Sequence, residues 1–80
     1  MQANHGVAAM GTMTTALRAQ RLLAGMGIAT RILSLSPEDT RLGCAYGIEY
    51  DLNNERSVRQ ALREARVTVT QYLRRNGDPL

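Results

Sequence analysis

The sequence lacks most of the residues that build metal, redox and aromatic sites. It has no Phe, no Trp, one cysteine and one histidine, and all ten of its basic residues are arginines. The lone Cys44 excludes an internal disulfide, a redox pair and a multi-cysteine zinc site, and the lone His5 excludes a histidine-rich site. We therefore expect no metal and no cofactor. Three tyrosines do not make the interleaved aromatic pattern of an RNA-recognition sheet.

Targeting signals are also missing. No basic stretch followed by an apolar core opens the chain, and no apolar run approaches the roughly 20 residues of a membrane span. We therefore expect a cytoplasmic protein. Its 80 residues predict a single domain over residues 1–80, with an ordered core at about 6–73 and flexible ends. A chain this short buries a limited share of its surface, which leaves room for a homodimer.

Hydrophobic periodicity and turn residues divide the chain into six elements. In order they are a strand at 6–11, a helix at 13–26, strands at 28–35 and 44–51, a second helix, and a strand at 67–73. This order predicts an α+β fold, a ferredoxin-like βαββαβ sandwich. In it, a four-stranded antiparallel sheet carries two helices on one face.

Both predicted helices are amphipathic. Thr12 is the expected N-cap of the first helix and Gly27 its left-handed end. Asn53 or Asn54 is the expected cap of the second helix. The predicted buried residues of the two helices are Ala16, Ala19, Leu22, Leu23 and Met26 in the first, and Val58, Ala61, Leu62 and Ala65 in the second.

Cys44 is the most plausible nucleophile of the chain. It follows Gly43 and begins a strand of alternating polarity, with a parity that directs it towards the helices. In the predicted fold the third strand begins where the first helix begins, so we expect Cys44 beside Thr12 and Thr14. A helix N-terminus lowers a cysteine pKa, and Arg41 would add positive charge. The alternative, that Cys44 is simply a small buried hydrophobe, remains open.

Three segments together suggest a family. They are Thr15-Ala16-Leu17-Arg18-Ala19-Gln20-Arg21-Leu22-Leu23, Gly27-Ile28-Ala29-Thr30-Arg31-Ile32-Leu33, and the Gly43-Cys44 step before a strand. Over about residues 10–72 the chain resembles the selenium/sulfur carrier protein-like family. The chain departs from the family at the start of the first helix, where Thr14 or Thr15 replaces a frequent histidine. It departs again after the cysteine, where Ala45 replaces a frequent glycine.

The resemblance implies a carrier rather than an enzyme. Cys44 would hold a sulfur or selenium atom as a persulfide or selenosulfide. Donor and acceptor enzymes would then be the partners. A single cysteine suits this role, because no second thiol is present to release the loaded atom by forming a disulfide.

Arginines on the second helix are the main competing feature. Arg56, Arg59 and Arg63 lie opposite its apolar stripe and predict a surface for an acidic partner protein. The favoured alternative for these arginines is an ordinary solvated helix face, because Glu55 and Glu64 dilute the charge and Glu55 can pair with Arg59 four residues on. Nucleic acid is the less favoured ligand. A ferredoxin-like module that binds a small ligand or acts in regulation is the remaining alternative.

Overall fold

The computed structural model describes residues 4–35, 46–74 and 80. Its helices and strands are β1 (His5–Met10), α1 (Met13–Gly25), β2 (Thr30–Ser34), β3 (Tyr46–Asp51), α2 (Glu55–Glu64) and β4 (Gln71–Arg74), and a short 3₁₀ turn (Leu52–Asn54) precedes α2. The four strands form one sheet in the order β2-β3-β1-β4, and all neighbours are antiparallel. The predicted ferredoxin-like βαββαβ arrangement is confirmed.

Two strands begin later than the sequence predicts. The second strand begins at Thr30 instead of residue 28, and the last begins at Gln71 instead of residue 67. In both cases the apolar residue taken as the strand start still belongs to the preceding helix end. The N–H of Ile28 donates to the carbonyl of Leu23, and the N–H of Val67 donates to that of Leu62, each at 2.9 Å. The predicted first two residues of the third strand, Cys44 and Ala45, lie outside the described residues.

Both helices cover the same face of the sheet with the residues that the periodicity selects. The buried core there includes Ala8 and Met10 of β1, Ile48 and Tyr50 of β3, Ala16, Ala19 and Leu23 of α1, and Val58, Ala61 and Leu62 of α2. Met26 is the exception, because the sequence predicts it buried but its surface is 51% exposed. The helix ends at Gly25, so Met26 no longer follows the helical periodicity.

The opposite face of the sheet is also buried around β1. Val7 and Ala9 point there and are 3% and 0% exposed. Gly47 stands opposite Ala9, and a Cβ at Gly47 would lie 2.9 Å from Val7 Cγ1 and 3.1 Å from Leu35 Cδ1. Burial on both faces explains why β1 is continuously apolar from Val7 to Met10 rather than alternating.

The two helices end in the same hydrogen-bond pattern, the Schellman motif. In α1, Gly27 takes the left-handed conformation with φ of 79°. In α2 the equivalent residue is Arg66, with φ of 57°. The prediction for Gly27 is confirmed, whereas no sequence signal marked Arg66, because left-handed backbone favours glycine.

Candidate functional site

Only part of the site predicted around Cys44 lies within the described residues. Cys44, Gly43 and Arg41 lie outside the described residues, so their roles remain predictions. Thr12 and Thr14 are described, and both are exposed at the start of α1. The geometry that bears on the thiol is therefore that of the neighbouring strand and helix ends.

Tyr46 marks the position of the described part of β3 in the sheet. It is the first residue of β3 and pairs with Met10, the last residue of β1. Met10 lies two residues before Thr12, the N-cap of α1. The third strand therefore begins at the end of the sheet where α1 begins, as the predicted topology requires.

The first turn of α1 is organised by threonine hydroxyls. Thr12 has extended backbone, and its side-chain oxygen accepts a hydrogen bond from the Thr15 N–H at 3.1 Å. The Thr12 and Thr15 hydroxyl oxygens are 2.9 Å apart and share a further hydrogen bond. The predicted N-cap is confirmed. This turn contains no acidic side chain, so nothing within it neutralises the partial positive charge of the helix N-terminus.

The start of α2 is built differently. Asn54 occupies the cap position but its side chain makes no capping bond. Instead the Asp51 carboxylate accepts from the Asn53 N–H at 2.8 Å and stabilises the 3₁₀ turn before the helix. Glu55 provides a negative charge in the first turn of α2. The predicted asparagine cap is therefore correct in position but wrong in mechanism, because the turn that precedes α2 is capped by Asp51.

Glu55 links α2 to the sheet through two bonds. The buried hydroxyl of Tyr50 donates to one oxygen of the Glu55 carboxylate, and Nε of Arg59 donates to the other. The Arg59 guanidinium carbon lies 4.0 Å from the centre of the Tyr72 ring, a cation–π geometry. Burial, together with the hydrogen bond to Glu55 and the charge of that carboxylate, raises the pKa of Tyr50. Burial also raises the pKa of Tyr72.

The three arginines predicted to bind a partner therefore differ in their surroundings. Arg56 and Arg63 are exposed, whereas Arg59 is partly buried and paired with Glu55. The pairing of Glu55 with Arg59 follows from their spacing of four residues, and the sequence predicted it. The contributions of Tyr50 and Tyr72 were not predicted, because those residues meet α2 only through the sheet.

Two surface depressions flank α2. The α1–α2 groove has a volume of about 410 Å³ and is lined by Leu22, Met26, Ser57, Gln60, Ala61, Glu64 and Ala65. The α2–β4 groove has a volume of about 420 Å³ and is lined by Arg59, Arg63, Val67, Val69 and Tyr72. The first groove carries an acidic side chain, and the second carries two guanidinium groups above valine and tyrosine.

Comparison with known families decides which class of protein this is. Residues 5–74 match the profile of the family described as "Putative Se/S carrier protein-like". The chain belongs to this family. The match begins at the first residue of β1 and ends at the last residue of β4, and it includes Cys44. Neither the curated proteins nor the solved structures contained a match.

Membership of this family confirms the resemblance predicted from the sequence. A family of carriers implies that the chain interacts with partner enzymes. In the parts of the chain that the structure describes, no helix is long and apolar enough to cross a membrane. Among the same residues, no three His, Cys, Asp or Glu side chains converge in a way that could hold a metal ion.

Proposed function

We propose that this protein carries sulfur or selenium on Cys44, as a persulfide or selenosulfide, and transfers the atom to an acceptor enzyme. The observation that carries the proposal is the family match over residues 5–74. Cys44 is the only thiol in the chain, so it is the only group that can form either species. The lack of a second cysteine protects a loaded atom from intramolecular displacement.

The positions of β3 and α1 support a stabilised thiolate. Consecutive Cα atoms are about 3.8 Å apart, so covalent geometry alone keeps the Cα of Cys44 within about 7.6 Å of that of Tyr46. Tyr46 in turn pairs with Met10, two residues before the cap of α1. The exposed first turn of α1 begins at this end of the sheet, contains no acidic side chain and is a source of positive potential. Lowering the thiol pKa in this way would increase the reactive fraction at neutral pH.

The proposed loading step is a thiol exchange that needs no external oxidant or reductant. The Cys44 thiolate attacks the outer sulfur of a persulfide on the donor enzyme. The sulfur–sulfur bond of the donor breaks, and the donor cysteine leaves as a thiolate while the new sulfur–sulfur bond forms on Cys44. Delivery repeats the exchange, with a nucleophile of the acceptor attacking the terminal sulfur. Selenium follows the same course when the donor carries a selenosulfide.

Four neighbouring residues assist in this proposal. Gly43 leaves space for the donor persulfide to approach the sulfur. Arg41 supplies positive charge for the incoming and departing anions. Thr12 caps α1 through its bond to Thr15, and Thr14 lies in the exposed first turn of that helix. In this chain a threonine at the helix start takes the place of the histidine frequent in the family. The helix terminus, rather than a side-chain base, would then be the main stabiliser of the thiolate.

Sulfur loading is tested with a cysteine desulfurase and isotopically labelled cysteine. We expect one labelled sulfur per chain, removable by a reducing thiol and located on the peptide that contains Cys44. Cys44→Ser should take up no label. The lone cysteine makes both results unambiguous.

Alkylation of Cys44 as a function of pH provides the second measurement. A thiol pKa clearly below the usual value of about 8.5 is the expected result. Failure of label transfer to the wild-type chain, together with an ordinary thiol pKa, would reject the carrier function.

A further inference from the structure

The positive charge of this protein is concentrated in one part of the chain. Residues 55–74, from α2 to β4, contain five arginines and two glutamates. Residues 1–54 contain four arginines and four acidic residues, and residues 75–80 contain one of each. The whole net charge of +3 therefore comes from the segment that forms the α2–β4 groove.

Within the α2–β4 groove, the two arginines have different roles. Arg59 is fixed, because its Nε donates to Glu55 and its guanidinium lies on the Tyr72 ring. Arg63 lies one turn further along α2, is exposed, and forms no ion pair with any of the described residues. The groove thus offers one guanidinium that has no counter-ion among the described residues, beside one that is already oriented.

Apolar side chains complete the groove. Val67 is 7% exposed, and Val69 and Tyr72 are half-buried beside it. A ligand that fits this surface carries an anionic group for Arg63 next to an apolar group for the valines. A simple inorganic anion would use only half of the surface.

The groove lies towards the end of the sheet where β3 begins. Both the backbone N–H and the hydroxyl of Thr70 donate to the Ala9 carbonyl at 3.0 Å, so the chain joins β1 at its Met10 end just before β4. Tyr46 pairs with that same end of β1 from the other side. Strands are spaced by about 4.8 Å, so β4 and β3 are about 10 Å apart across β1.

We propose that the α2–β4 groove binds an acidic segment of the acceptor enzyme, with a carboxylate on Arg63 and an adjacent apolar side chain against Val67, Val69 and Tyr72. This inference rests on the proposed carrier function and specifies which surface meets the acceptor. Arg59 orients the carboxylate from its fixed position on Tyr72. Docking there brings the acceptor to the end of the sheet where β3 begins.

Charge and shape favour an acidic peptide over a nucleic acid. A phosphate backbone requires a series of available cations, because each contact neutralises one phosphate. Here Glu55 already neutralises Arg59, so of the two guanidinium groups that line the groove only that of Arg63 has no ion-pair partner among the described residues. The apolar floor of the groove also has no counterpart in a phosphate backbone.

The test uses the full ¹⁵N-labelled chain and a blocked hexapeptide that alternates aspartate and leucine. We expect peptide-induced shifts at the Arg63 Nε–H and at the amides of Val67, Val69 and Tyr72. Arg63→Gln should weaken binding about fivefold, as expected for a solvent-accessible charge pair. Arg21→Gln, a matched loss of an exposed arginine on α1, should leave the affinity unchanged. Binding should also weaken as salt is added.

Three results would overturn the groove proposal. They are equal affinity for a hexapeptide of asparagine and leucine, equal loss of affinity in Arg63→Gln and Arg21→Gln, and displacement of the peptide by a single-stranded oligonucleotide that binds more tightly. Cys44→Ser separates the two proposals, since it should abolish sulfur loading and leave peptide binding intact. Loading without peptide binding rejects the groove alone, and peptide binding without loading rejects the carrier function alone.

Discussion

The two helices of this protein share one face of the sheet but begin in opposite ways. The first turn of α1 is closed by Thr12 and Thr15 and contains no acidic side chain. The first turn of α2 contains Glu55, whose carboxylate is bound to Tyr50 and Arg59. One helix therefore keeps its N-terminal positive potential available to an outside anion. In α2 the Glu55 carboxylate lies at that positive end and binds Tyr50 of the sheet.

The same helices end in nearly identical ways. Each closes with a Schellman motif whose left-handed residue is exposed, Gly27 in α1 and Arg66 in α2. In addition, the Arg18 side chain donates to the carbonyl of Ala65 at 2.8 Å, so α1 supplies a cation to the C-terminus of α2. The two helices therefore differ mainly at their beginnings, and their ends differ mainly in the residue that takes the left-handed conformation.

Removal of Glu55 should have the largest effect on stability. Glu55→Ala leaves the buried Tyr50 hydroxyl without its acceptor and Arg59 without its counter-ion. We expect a loss of about 2 kcal/mol, because an unsatisfied buried polar group costs about 1–3 kcal/mol. In a chain of this size, that loss lowers the melting temperature by on the order of 10 °C. Thermal unfolding followed by circular dichroism measures it.

Glu64→Ala is the matched control on the same helix, since Glu64 is exposed and its carboxylate accepts a hydrogen bond from the exposed Gln60. Its effect should stay within about 0.5 kcal/mol. Glu55→Gln should fall between the two variants, because an amide oxygen can still accept from Tyr50. Equal stability of Glu55→Ala and Glu64→Ala would show that the bonds to Tyr50 and Arg59 do not hold α2 on the sheet.

Alkaline pH should weaken the connection between α2 and the sheet that Tyr50 and Tyr72 provide. The pKa values of Tyr50 and Tyr72 are raised in the folded chain. The folded state therefore holds these protons above pH 10, where unfolded tyrosine ionises. Their contribution to stability is complete below about pH 10 and decreases above it, by up to about 1.4 kcal/mol per pH unit for each tyrosine. Melting temperatures between pH 8 and pH 11 should show a plateau followed by a decline. An equally steep decline in Tyr50→Phe would contradict the assignment to Tyr50.

Removing the glycine at the end of α1 should lower stability, and introducing a glycine at the end of α2 should raise it. Gly27→Ala should cost about 1–2 kcal/mol, the penalty for a side chain in left-handed backbone. A Cβ at Gly27 would meet no atom of the described residues within 4 Å, so the expected cost is that of the backbone conformation. Arg66→Gly should stabilise by about 0.5–1 kcal/mol, because relief of the same strain exceeds the added entropy of unfolded glycine. Chemical denaturation measures both, and a less stable Arg66→Gly variant would mean that the Arg66 side chain contributes more than its backbone costs.

Adding an acid to α1 should make its beginning resemble that of α2. Met13 is 42% exposed in the first turn, and Met13→Glu should stabilise the helix by about 0.3–1 kcal/mol. If Cys44 lies near this turn, the new charge should raise its thiol pKa by a few tenths of a unit and slow alkylation at pH 7 about two- to threefold. Met26→Glu places the same charge at the other end of α1 and should leave alkylation nearly unchanged. Equal alkylation rates in the two variants would show that Cys44 does not lie near the start of α1.

The parts of the fold predicted from the sequence are those decided by near neighbours along the chain. The Thr12 cap spans three residues, the Glu55–Arg59 pair spans four, and the buried stripes of α1 and α2 repeat within single helices. The left-handed conformation of Gly27 was predictable, because glycine adopts that backbone conformation at the lowest energetic cost. Arg66 adopts the same conformation against its preference, so the tertiary position of Val67 in the core must decide it.

Of the candidate site, the sequence alone determined that Cys44 is the only thiol and that arginines gather on α2. It also contained the family resemblance that the match over residues 5–74 confirms. Only the tertiary structure set Arg59 on Tyr72 and left Arg63 available beside valines. The predicted topology already placed the start of β3 at the end of the sheet where α1 begins, and the sheet register fixes the pairing there as Tyr46 with Met10. These relations join residues that are distant in sequence, and their geometry depends on how strands pair and helices pack rather than on any local pattern.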